Sequence, residues 1–527
     1  MKKIFNKICI VLLLITGWSC KGDFLERPPY GMVTEDLYFT KEANFEALLP
    51  AIYARSKDLA GYQSRNVFFF EATDDGGGYG AGGGEIPNFS MRTDNQDINE
   101  MYNARIAAVG DCSYAIAKMK AFNFTNKELQ KRLIAETKVL RSHFFLPLVT
   151  LYGNIPFVET PVSDVNDLLQ PQRTQNENYK SLLKDLLEST TDLPTAKQLP
   201  ANEWGRVTQG TCLTYAAKVA LMLKDYVTAK ECLKKVIDSG CYKLDRDFGA
   251  QFRRENGSNS RSEEIIFCFL AKDDPTNSYL GARLGWKMAP YADAMGNANK
   301  DLFDEYERGD IRRLYTFILG TDIIDNRRMN TNGTLLCSGK HFVRPRDMSS
   351  NIAAMPLQEI ILRYADVLLM YAECLIETDG DKVAAAEYIN MVRRRANTTP
   401  RVDPRGDYNG KNTRAKYMYD VTNNGKDTIY YNVQIDNILL PEIGVTDKAN
   451  MLVALRHERR VEMAFEFWRW NDLVRWNILK ERLIFIRTKF GTEKGKFIER
   501  FVDQNKMLFP IPQSEIDLGK ITQNPGY

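Results

Sequence analysis

Helical periodicity constrains this chain more than any other feature of its sequence. Apolar residues recur at three-to-four-residue spacing, which is typical of amphipathic helices. The segments that carry this spacing are Glu128 to Thr150, Gln209 to Leu223, Val227 to Asp238, Ile361 to Glu377, Val383 to Ala396 and Asn450 to Trp468. We therefore predict a mainly α protein.

Two of these regions repeat one pattern. Gln209 to Ser239 and Ile361 to Arg395 each read as a helix, a short polar turn and a second helix. The second helices share the spacing of one small and two apolar residues, namely Ala229, Leu233 and Val236 against Ala385, Ile389 and Val392. Small residues where helices cross favour tetratricopeptide-like hairpins that stack on one another. The alternative is two unrelated amphipathic hairpins.

Long segments rich in Gly, Asn and Asp separate the helical blocks. They are Gly61 to Asn99, Glu255 to Gly309, Gly320 to Ala354 and Thr398 to Asp447. Segments of this length in a compact protein are usually functional loops or small insertions with a few strands. We expect one compact body from residue 20 to 527, with a helical scaffold over 40–60, 97–240 and 355–480. The loop-rich binding region is then 61–96 and 255–354.

The first twenty residues read as a lipoprotein signal peptide. Lys2, Lys3 and Lys7 precede an apolar stretch, Ile8 to Ile15, which is too short to span a bilayer. Small or polar residues then lead to Cys20, as in the lipobox of bacterial lipoproteins. We expect residues 1–19 to be removed and Cys20 to carry acyl chains such as palmitate, which anchor the protein to a membrane. Simple secretion is the alternative.

Composition excludes several classes of protein. Lys and Arg number 71 against 68 Asp and Glu, which gives no charge field that favours nucleic acid. Beyond Cys9 and Cys20, seven scattered cysteines form no CxxC pair, so we expect mostly buried thiols rather than disulfides or a zinc site. With three histidines, a histidine-rich metal site is not indicated. No cofactor is indicated, but a structural calcium ion stays open as an alternative, since acidic loop residues are plentiful although none has the EF-hand spacing.

Glu462 and Glu466 are the candidate catalytic pair. On a helix they share one stripe with Arg459 and Arg469, and two carboxylates four residues apart suggest a glycosidase. A general acid needs a raised pKa, however, and neighbouring arginines favour the ionised carboxylate. We therefore expect a structural ion-pair network and no catalytic residue. Three tryptophans of the same block are expected to anchor the core: Trp468, Trp470 and Trp476.

Aromatic residues in polar loops are the candidate ligand-binding residues. A flat ring packs on the apolar face of a sugar, while amides and carboxylates beside it bond the hydroxyl groups. The candidates are Asp74, Tyr79, Phe89, Tyr279, Trp286, Tyr291 and Asn297. The glycine run around Tyr79 lacks the Gly-Lys-Ser/Thr ending of a phosphate-binding loop, so it reads as a tightly turning loop.

Several motifs together resemble the SusD/RagB family of outer-membrane nutrient-binding lipoproteins. They are Cys20 followed by DFLE at 23–26, LRSHFFLPLVTLYGNIPFV at 140–158, ILRYADVLLMYA at 361–372, ERRVEMAFEFWRWNDLVRW at 458–476 and FPIPQSEIDLGKITQNPGY at 509–527. The last two are the most specific. Pro147 interrupts a helix that the family usually leaves unbroken, so we expect a local kink there.

The resemblance implies a SusD-like fold with four tetratricopeptide-like hairpins and a more variable, loop-rich half. It implies a cell-surface lipoprotein of the outer membrane that binds a glycan, or in some members a peptide. It also implies a SusC-like TonB-dependent barrel as partner, which imports the ligand, and no enzymatic activity. The alternatives are a secreted glycan hydrolase that uses Glu462 and Glu466, and a helical-repeat scaffold that binds only proteins.

Overall fold

The computed structural model describes most of the chain outside its N-terminal segment and several loops. The described residues are 38–59, 70–76, 84–161, 170–252, 261–270, 297–319, 323–324, 327–328, 336–342, 358–400, 417–422, 427–431, 438–490, 501–502 and 505–527. The chain divides into two compact units, residues 1–48 and 49–527. In the first unit, the ring of Phe39 packs against Tyr38 and Phe45 at centroid distances of 5.1 and 5.0 Å.

Helices dominate the described part of the chain. In chain order they are α1 (Glu42–Leu59), α2 (Gln96–Ala121), α3 (Lys127–Tyr152), α4 (Gln175–Ser189), α5 (Gln209–Met222), α6 (Tyr226–Asp238), α7 (Lys300–Glu305), α8 (Arg312–Thr316), α9 (Tyr364–Glu377), α10 (Lys382–Thr398), α11 (Lys448–Glu462), α12 (Arg469–Arg475), α13 (Leu479–Phe490) and α14 (Gln513–Asp517). This content confirms the predicted mainly α class.

Consecutive helices pack as stacked hairpins. Each of α2 to α5 packs on the next helix, α6 packs on α9, and α9 packs on α10. Side-chain caps start α2 to α6 and α10, because Asn, Thr or Asp accepts a backbone N–H of the first turn. The residues predicted to lie at the hairpin interfaces are all buried: Ala229, Leu233, Val236, Ala385, Ile389 and Val392. The two hairpins therefore belong to one stack.

The ends of two helices bear on the predictions. Helix α3 continues through Pro147 to Tyr152, close to the predicted end at Thr150, and ends where Gly153 adopts a φ of +71°; the kink at Pro147 stays a prediction. Helix α11 ends at Glu462 instead of Trp468, because Phe465 and Phe467 both adopt a φ of +64°, which no helix contains. The chain then resumes as α12. The periodicity also failed to single out α2 and α4.

The described strands form short antiparallel pairs. The pairs are β1 (Ile265–Phe269) with β6 (Glu359–Arg363), β2 (Phe317–Leu319) with β5 (Leu336–Ser338), β3 (Ile323–Ile324) with β4 (Arg327–Arg328), and β7 (Tyr417–Thr422) with β8 (Asp427–Tyr431). Strand β6 leads directly into α9 and carries Arg363, whose side chain is fully buried. The β1–β6 pair therefore brings a charged side chain to the core.

The cysteines of the described chain are free thiols. Six are buried and Cys241 is partly buried, as the scattered spacing predicted. Burial raises the pKa of Cys232 to about 11 and that of Cys268 to about 12, so these thiols stay protonated. They pack as small apolar side chains.

Candidate functional site

Glu462 lies at the centre of a buried cluster of charges. Its carboxylate accepts hydrogen bonds from Arg363 at 2.5 Å and Arg312 at 2.8 Å, and it also pairs with Arg395. Burial alone would raise the pKa of Glu462, but attraction to Arg395, Arg363 and Arg312 outweighs it and holds that pKa well below its ordinary value. Glu462 is therefore ionised and inaccessible to a ligand.

Glu466 belongs to the same cluster. One carboxylate oxygen accepts from Lys340 Nζ at 2.5 Å and Arg363 Nη2 at 2.9 Å, and the other accepts from Arg363 Nε at 2.6 Å. The predicted ion-pair network is confirmed, but Arg459 and Arg469 are not its partners. Because α11 ends at Glu462, Arg459 turns to Asp366 and Asp472, and Arg469 turns to Asp74. This geometry gives the glycosidase interpretation no support.

Asp74 lies at the start of the glycine-rich run and is fully buried. Its carboxylate accepts from Arg469 Nε and Nη2 at 2.8 Å each, and from Arg482 Nε at 2.7 Å. Although burial acts to raise the pKa of Asp74, Arg469 and Arg460 hold it well below its ordinary value. Two neighbouring helices thus bind this aspartate in its ionised form.

Asp75 and helix α7 are joined by Arg460. The guanidinium donates to Asp75 Oδ1 at 2.9 Å, and to Asp301 and Glu305 at 2.8 Å each. Arg482 donates to Asp301 as well, at 2.8 Å. The arginines of α11, α12 and α13 therefore connect the start of the glycine-rich run to α7, a helix within the second predicted loop region.

Arg487 holds the main chain on both sides of residues 77–83. Its side chain donates to the carbonyl oxygen of Gly76 at 3.0 Å and to that of Pro87 at 2.9 Å. It also donates to the carbonyl oxygens of Glu71 at 2.8 Å and Thr73 at 3.2 Å. Gly76 fits here because a Cβ would lie 2.6 Å from the main chain of Phe70 and Glu71. We call Glu71 to Gly76 and Gly84 to Pro87 the loop stem.

The loop stem pairs with the chain that follows residues 271–296. Gly76 forms a β-bridge with Ala298, and Asn299 donates its backbone N–H to the Asp75 carbonyl oxygen at 2.9 Å. The Asn299 side chain donates to the Asp74 carbonyl oxygen at 2.5 Å. The two predicted binding segments, 61–96 and 255–354, therefore meet at this stem.

The structure describes three of the seven predicted ligand-binding residues. Asp74 is held in the loop stem, and Asn297 accepts the backbone N–H of Leu336 at 2.6 Å. Phe89 is 0% exposed and packs against Phe501 and Trp470 with centroids 4.7 and 6.3 Å away. Its ring offers no face to a sugar, so we assign Phe89 to the core and the two polar residues to loop positioning.

The remaining predicted residues lie outside the described part of the chain. They are Tyr79, Tyr279, Trp286 and Tyr291 among the ligand candidates, and the lipidation candidate Cys20. Within the described ranges, no group of three or more His, Cys, Asp or Glu side chains could hold a metal ion. None of the helices described there has the length and apolar character needed to cross a membrane.

Sequence reasoning missed an aromatic-walled cleft between α2, α3, α5, β6 and the turn that joins α11 to α12. Its walls include His143, Tyr215, Phe467 and Trp468, and it encloses about 530 Å³ when the space open to solvent is counted. Trp470 and Trp476 are buried core residues, as predicted. Trp468 is instead half-buried at the cleft wall, because the left-handed turn at Phe467 directs the chain away from the helix.

Comparison with known proteins accounts for this arrangement of helices. The family model described as the SusD family matches residues 281–527. The C-terminal part of this chain is therefore similar to the SusD family. The whole chain is 23% identical to SusD-like protein P2 of Formosa agariphila, with 100% of both chains covered, and 21% identical to SusD-like protein P25 of the same organism, with 98% of both covered. The resemblance drawn from the sequence motifs is therefore confirmed.

Solved structures of SusD-like proteins share the fold. A SusD homolog from Bacteroides thetaiotaomicron superposes with a TM-score of 0.75 at 20% identity, over 94% of this chain and 99% of that one. Surface glycan-binding protein A from the same organism, in complex with laminarihexaose, gives a TM-score of 0.69 at 21% identity, over 92% and 99%. A SusD-like carbohydrate-binding protein from Bacteroides fragilis gives 0.70 at 19%, over 91% and 99%. The SusD-like fold is thus established.

Proposed function

We propose that this protein is a cell-surface glycan-binding lipoprotein that delivers its ligand to a SusC-like TonB-dependent transporter in the outer membrane. The observation that carries the proposal is the loop stem. There, the Gly76–Ala298 β-bridge joins the two segments that contain the predicted ligand-binding aromatic residues. The glycan class is supported by similar proteins described as carbohydrate-binding, laminarin-binding and bound to laminarihexaose.

Four aromatic residues are proposed to stack on the glycan: Tyr79, Tyr279, Trp286 and Tyr291. They belong to the two segments that leave the loop stem. Stacking on several sugar units without breaking bonds suits a capture protein, because the ligand must leave again for import. The buried, fully paired Glu462 agrees with a binding role and not a hydrolytic one.

Cys20 is proposed to tether the protein to the outer leaflet. A thiol that carries two or three acyl chains makes a stable anchor without a membrane-spanning segment. A protein anchored through a lipid at its N-terminus can stay beside a barrel and still open to solvent. We therefore propose that the tether serves the delivery step.

A ligand panel tests the binding function. The protein that begins after Cys20 would be titrated with oligosaccharides and peptides, beside a Tyr79→Ala/Trp286→Ala variant and a Leu187→Ala control on the exposed side of α4. We expect an oligosaccharide to bind, the double variant to lose at least tenfold in affinity, and the control to bind normally. Unchanged binding by the double variant would favour a protein-binding scaffold, and a peptide-only ligand would replace the glycan.

Membrane experiments test the tether and the partner. We expect Cys20→Ala to release the protein from the membrane and to abolish labelling by a fatty-acid probe. Pull-down from detergent-treated membranes of the parent cells should recover a TonB-dependent barrel. Retention of Cys20→Ala in the membrane would refute lipid anchoring, and recovery of no barrel would refute the delivery role.

A further inference from the structure

The aromatic-walled cleft is separate from the loop stem. Its lining comes from α2, α3, α5, β6, α12 and the turn before α12, and none of it comes from the two predicted binding segments. Its empty space is about 530 Å³ when the part open to solvent is counted, so the enclosed part is smaller. The cleft is therefore a partly open recess to which the loops do not contribute.

A strained turn presents two rings to this cleft. Phe465 and Phe467 both have a φ of +64°, a left-handed conformation that is strained for a residue with a Cβ. Phe465 is buried in the core, whereas Phe467 and the adjacent Trp468 line the cleft and stay half-buried. Strain of this kind is often found at binding sites, where the surrounding fold maintains it. The turn therefore holds the rings of Phe467 and Trp468 at the wall of the cleft and keeps them out of the core.

The ring of Trp468 is fixed before any ligand arrives. Its indole N–H donates to the Ile361 carbonyl oxygen at 2.9 Å, and Lys218 Nζ lies 3.5 Å from its ring centroid. The Tyr215 ring meets Trp468 edge-on at 6.5 Å, and the Tyr215 hydroxyl is 2.7 Å from His143 Nδ1. A rigid aromatic wall loses little conformational freedom when a ligand binds.

The cleft lining also contains hydrogen-bonding side chains. His143 of α3, Glu359 of β6 and Arg105 of α2 line the cleft together with the rings. Imidazole, carboxylate and guanidinium groups therefore belong to the same lining as Phe467 and Trp468.

Charges around the cleft are balanced. Burial and the nearby Arg105 lower the pKa of His143 to about 3, so its imidazole is neutral at physiological pH. Lys218 pairs with Asp366 at 2.5 Å, and Glu466 pairs with Lys340 and Arg363. The two other charged groups of the lining, Arg105 and Glu359, are of opposite sign. The site therefore favours a neutral ligand with an apolar face and polar edges.

We propose that the cleft binds one neutral sugar ring, as a second site distinct from the loops. The C–H face of a pyranose packs on Phe467 and Trp468, and its hydroxyl groups bond His143 and Glu359. This inference goes beyond the proposed function and does not depend on it, because none of its residues takes part in the loop site. A second site would retain a released or terminal sugar unit close to the protein.

Ligand-observed NMR with a panel of neutral monosaccharides tests the proposal. The background is the Tyr79→Ala/Trp286→Ala protein, which lacks the proposed loop site. Ile360→Trp fills the cleft from its mouth, and Leu187→Trp adds the same ring at an exposed position of α4 outside the lining. We expect the background to bind at least one monosaccharide, Ile360→Trp to weaken binding at least tenfold, and Leu187→Trp to leave it unchanged.

A second variant separates binding from folding. Phe467→Gly removes the ring but relieves the left-handed strain, so the thermal midpoint should change little while monosaccharide affinity falls at least tenfold. Absence of monosaccharide binding in the background protein, or equal binding by Ile360→Trp, would overturn the proposal. Monosaccharide binding together with no oligosaccharide binding by the unmutated protein would instead refute only the loop function.

Discussion

Arg487 and Gly76 are joined by a hydrogen bond of 3.0 Å from the guanidinium to the carbonyl oxygen. The same side chain donates to three more carbonyl oxygens of the loop stem, and none of these four bonds reaches a carboxylate. Burial lowers the pKa of Arg487 to about 10, although Glu71 and Asp74 act to raise it. The guanidinium thus stays charged at neutral pH while main-chain dipoles serve as its partners.

Replacing Arg487 by Lys should loosen the loop stem. An ammonium has three donors on one atom and cannot reach carbonyl oxygens on both sides of the loop. We expect a loss of about 1 to 3 kcal/mol in the free energy of unfolding, because buried carbonyl oxygens lose their donors. Hydrogen exchange at residues 70–76 and 84–90 should accelerate, and oligosaccharide affinity should fall about fivefold.

The control for Arg487→Lys is Arg394→Lys. Arg394 lies on α10, is 41% exposed and pairs with Glu387 and Glu442 at the surface. Its replacement should change the free energy of unfolding by less than about 0.5 kcal/mol. If hydrogen exchange at the loop stem is unaltered in the Arg487→Lys protein, the hydrogen bonds of Arg487 do not maintain the loop.

Replacing Asn299 by Ala should uncouple the two loop segments. Asn299 caps α7 through the backbone N–H of Leu302, and its side-chain amide also donates to the Asp74 carbonyl oxygen. Asp381→Ala at α10 is a matched control, because Asp381 also caps its helix, at an exposed position, through the backbone N–H of Ala384. We expect each variant to lose about 1 kcal/mol of stability, and only Asn299→Ala to lose glycan affinity. Equal affinities measured by calorimetry would contradict the coupling.

Replacing Glu462 by Gln should destabilise the fold. The change leaves the buried charges of Arg312, Arg363 and Arg395 without their shared carboxylate, which costs about 3 to 5 kcal/mol for a buried ion pair. Urea unfolding measures the loss. The control is Glu128→Gln on the exposed side of α3, which should change the free energy of unfolding by less than about 0.5 kcal/mol. A stable Glu462→Gln protein that had lost turnover of a glycan would restore the hydrolase interpretation.

The stability contributed by His457 should depend on pH. Burial acts to lower the pKa of His457, but hydrogen bonds to Glu305 and Glu307 raise it to about 9. A raised folded pKa stabilises the protein fully below the unfolded value of about 6.5, and this contribution is lost as pH rises through 9. The free-energy difference between the unmutated protein and His457→Gln should therefore shrink by about 2 to 3 kcal/mol from pH 6 to pH 10.

His341 provides the comparison for this pH series. Burial and the neighbouring Lys340 lower its pKa to about 3, so it stays neutral from pH 6 to pH 10. The free-energy difference between the unmutated protein and His341→Gln should be constant over this range. A constant difference for His457→Gln as well would show that the histidine is not charged in the folded protein.

The helical scaffold could be predicted because its signal is local. Spacing placed Ala229, Leu233 and Val236 at a hairpin interface, and burial of those side chains is what a stacked helix requires. The ion-pair network was predicted in kind for a similar reason, since carboxylates beside arginines favour pairing. The arginines of the network were not predicted, because Arg312, Arg363 and Arg395 are distant from Glu462 in sequence.

The candidate sites needed tertiary information. Phe89 resembles a loop aromatic in sequence, but Phe501 and Trp470 cover it after folding. The end of α11 depends on two left-handed phenylalanines, and no propensity rule predicts that conformation for an aromatic residue. The cleft followed from that turn, so it had no signature of its own in the sequence.

The four hydrogen bonds of Arg487 have an evolutionary consequence, because they all go to carbonyl oxygens. Carbonyl groups are common to all amino acids, so these hydrogen bonds tolerate almost any side chain between Gly76 and Gly84. The residues of this loop, and with them the preferred ligand, could therefore change during evolution while the loop stem stays intact. The same separation makes the segment a natural position for grafting sequences that select a different carbohydrate.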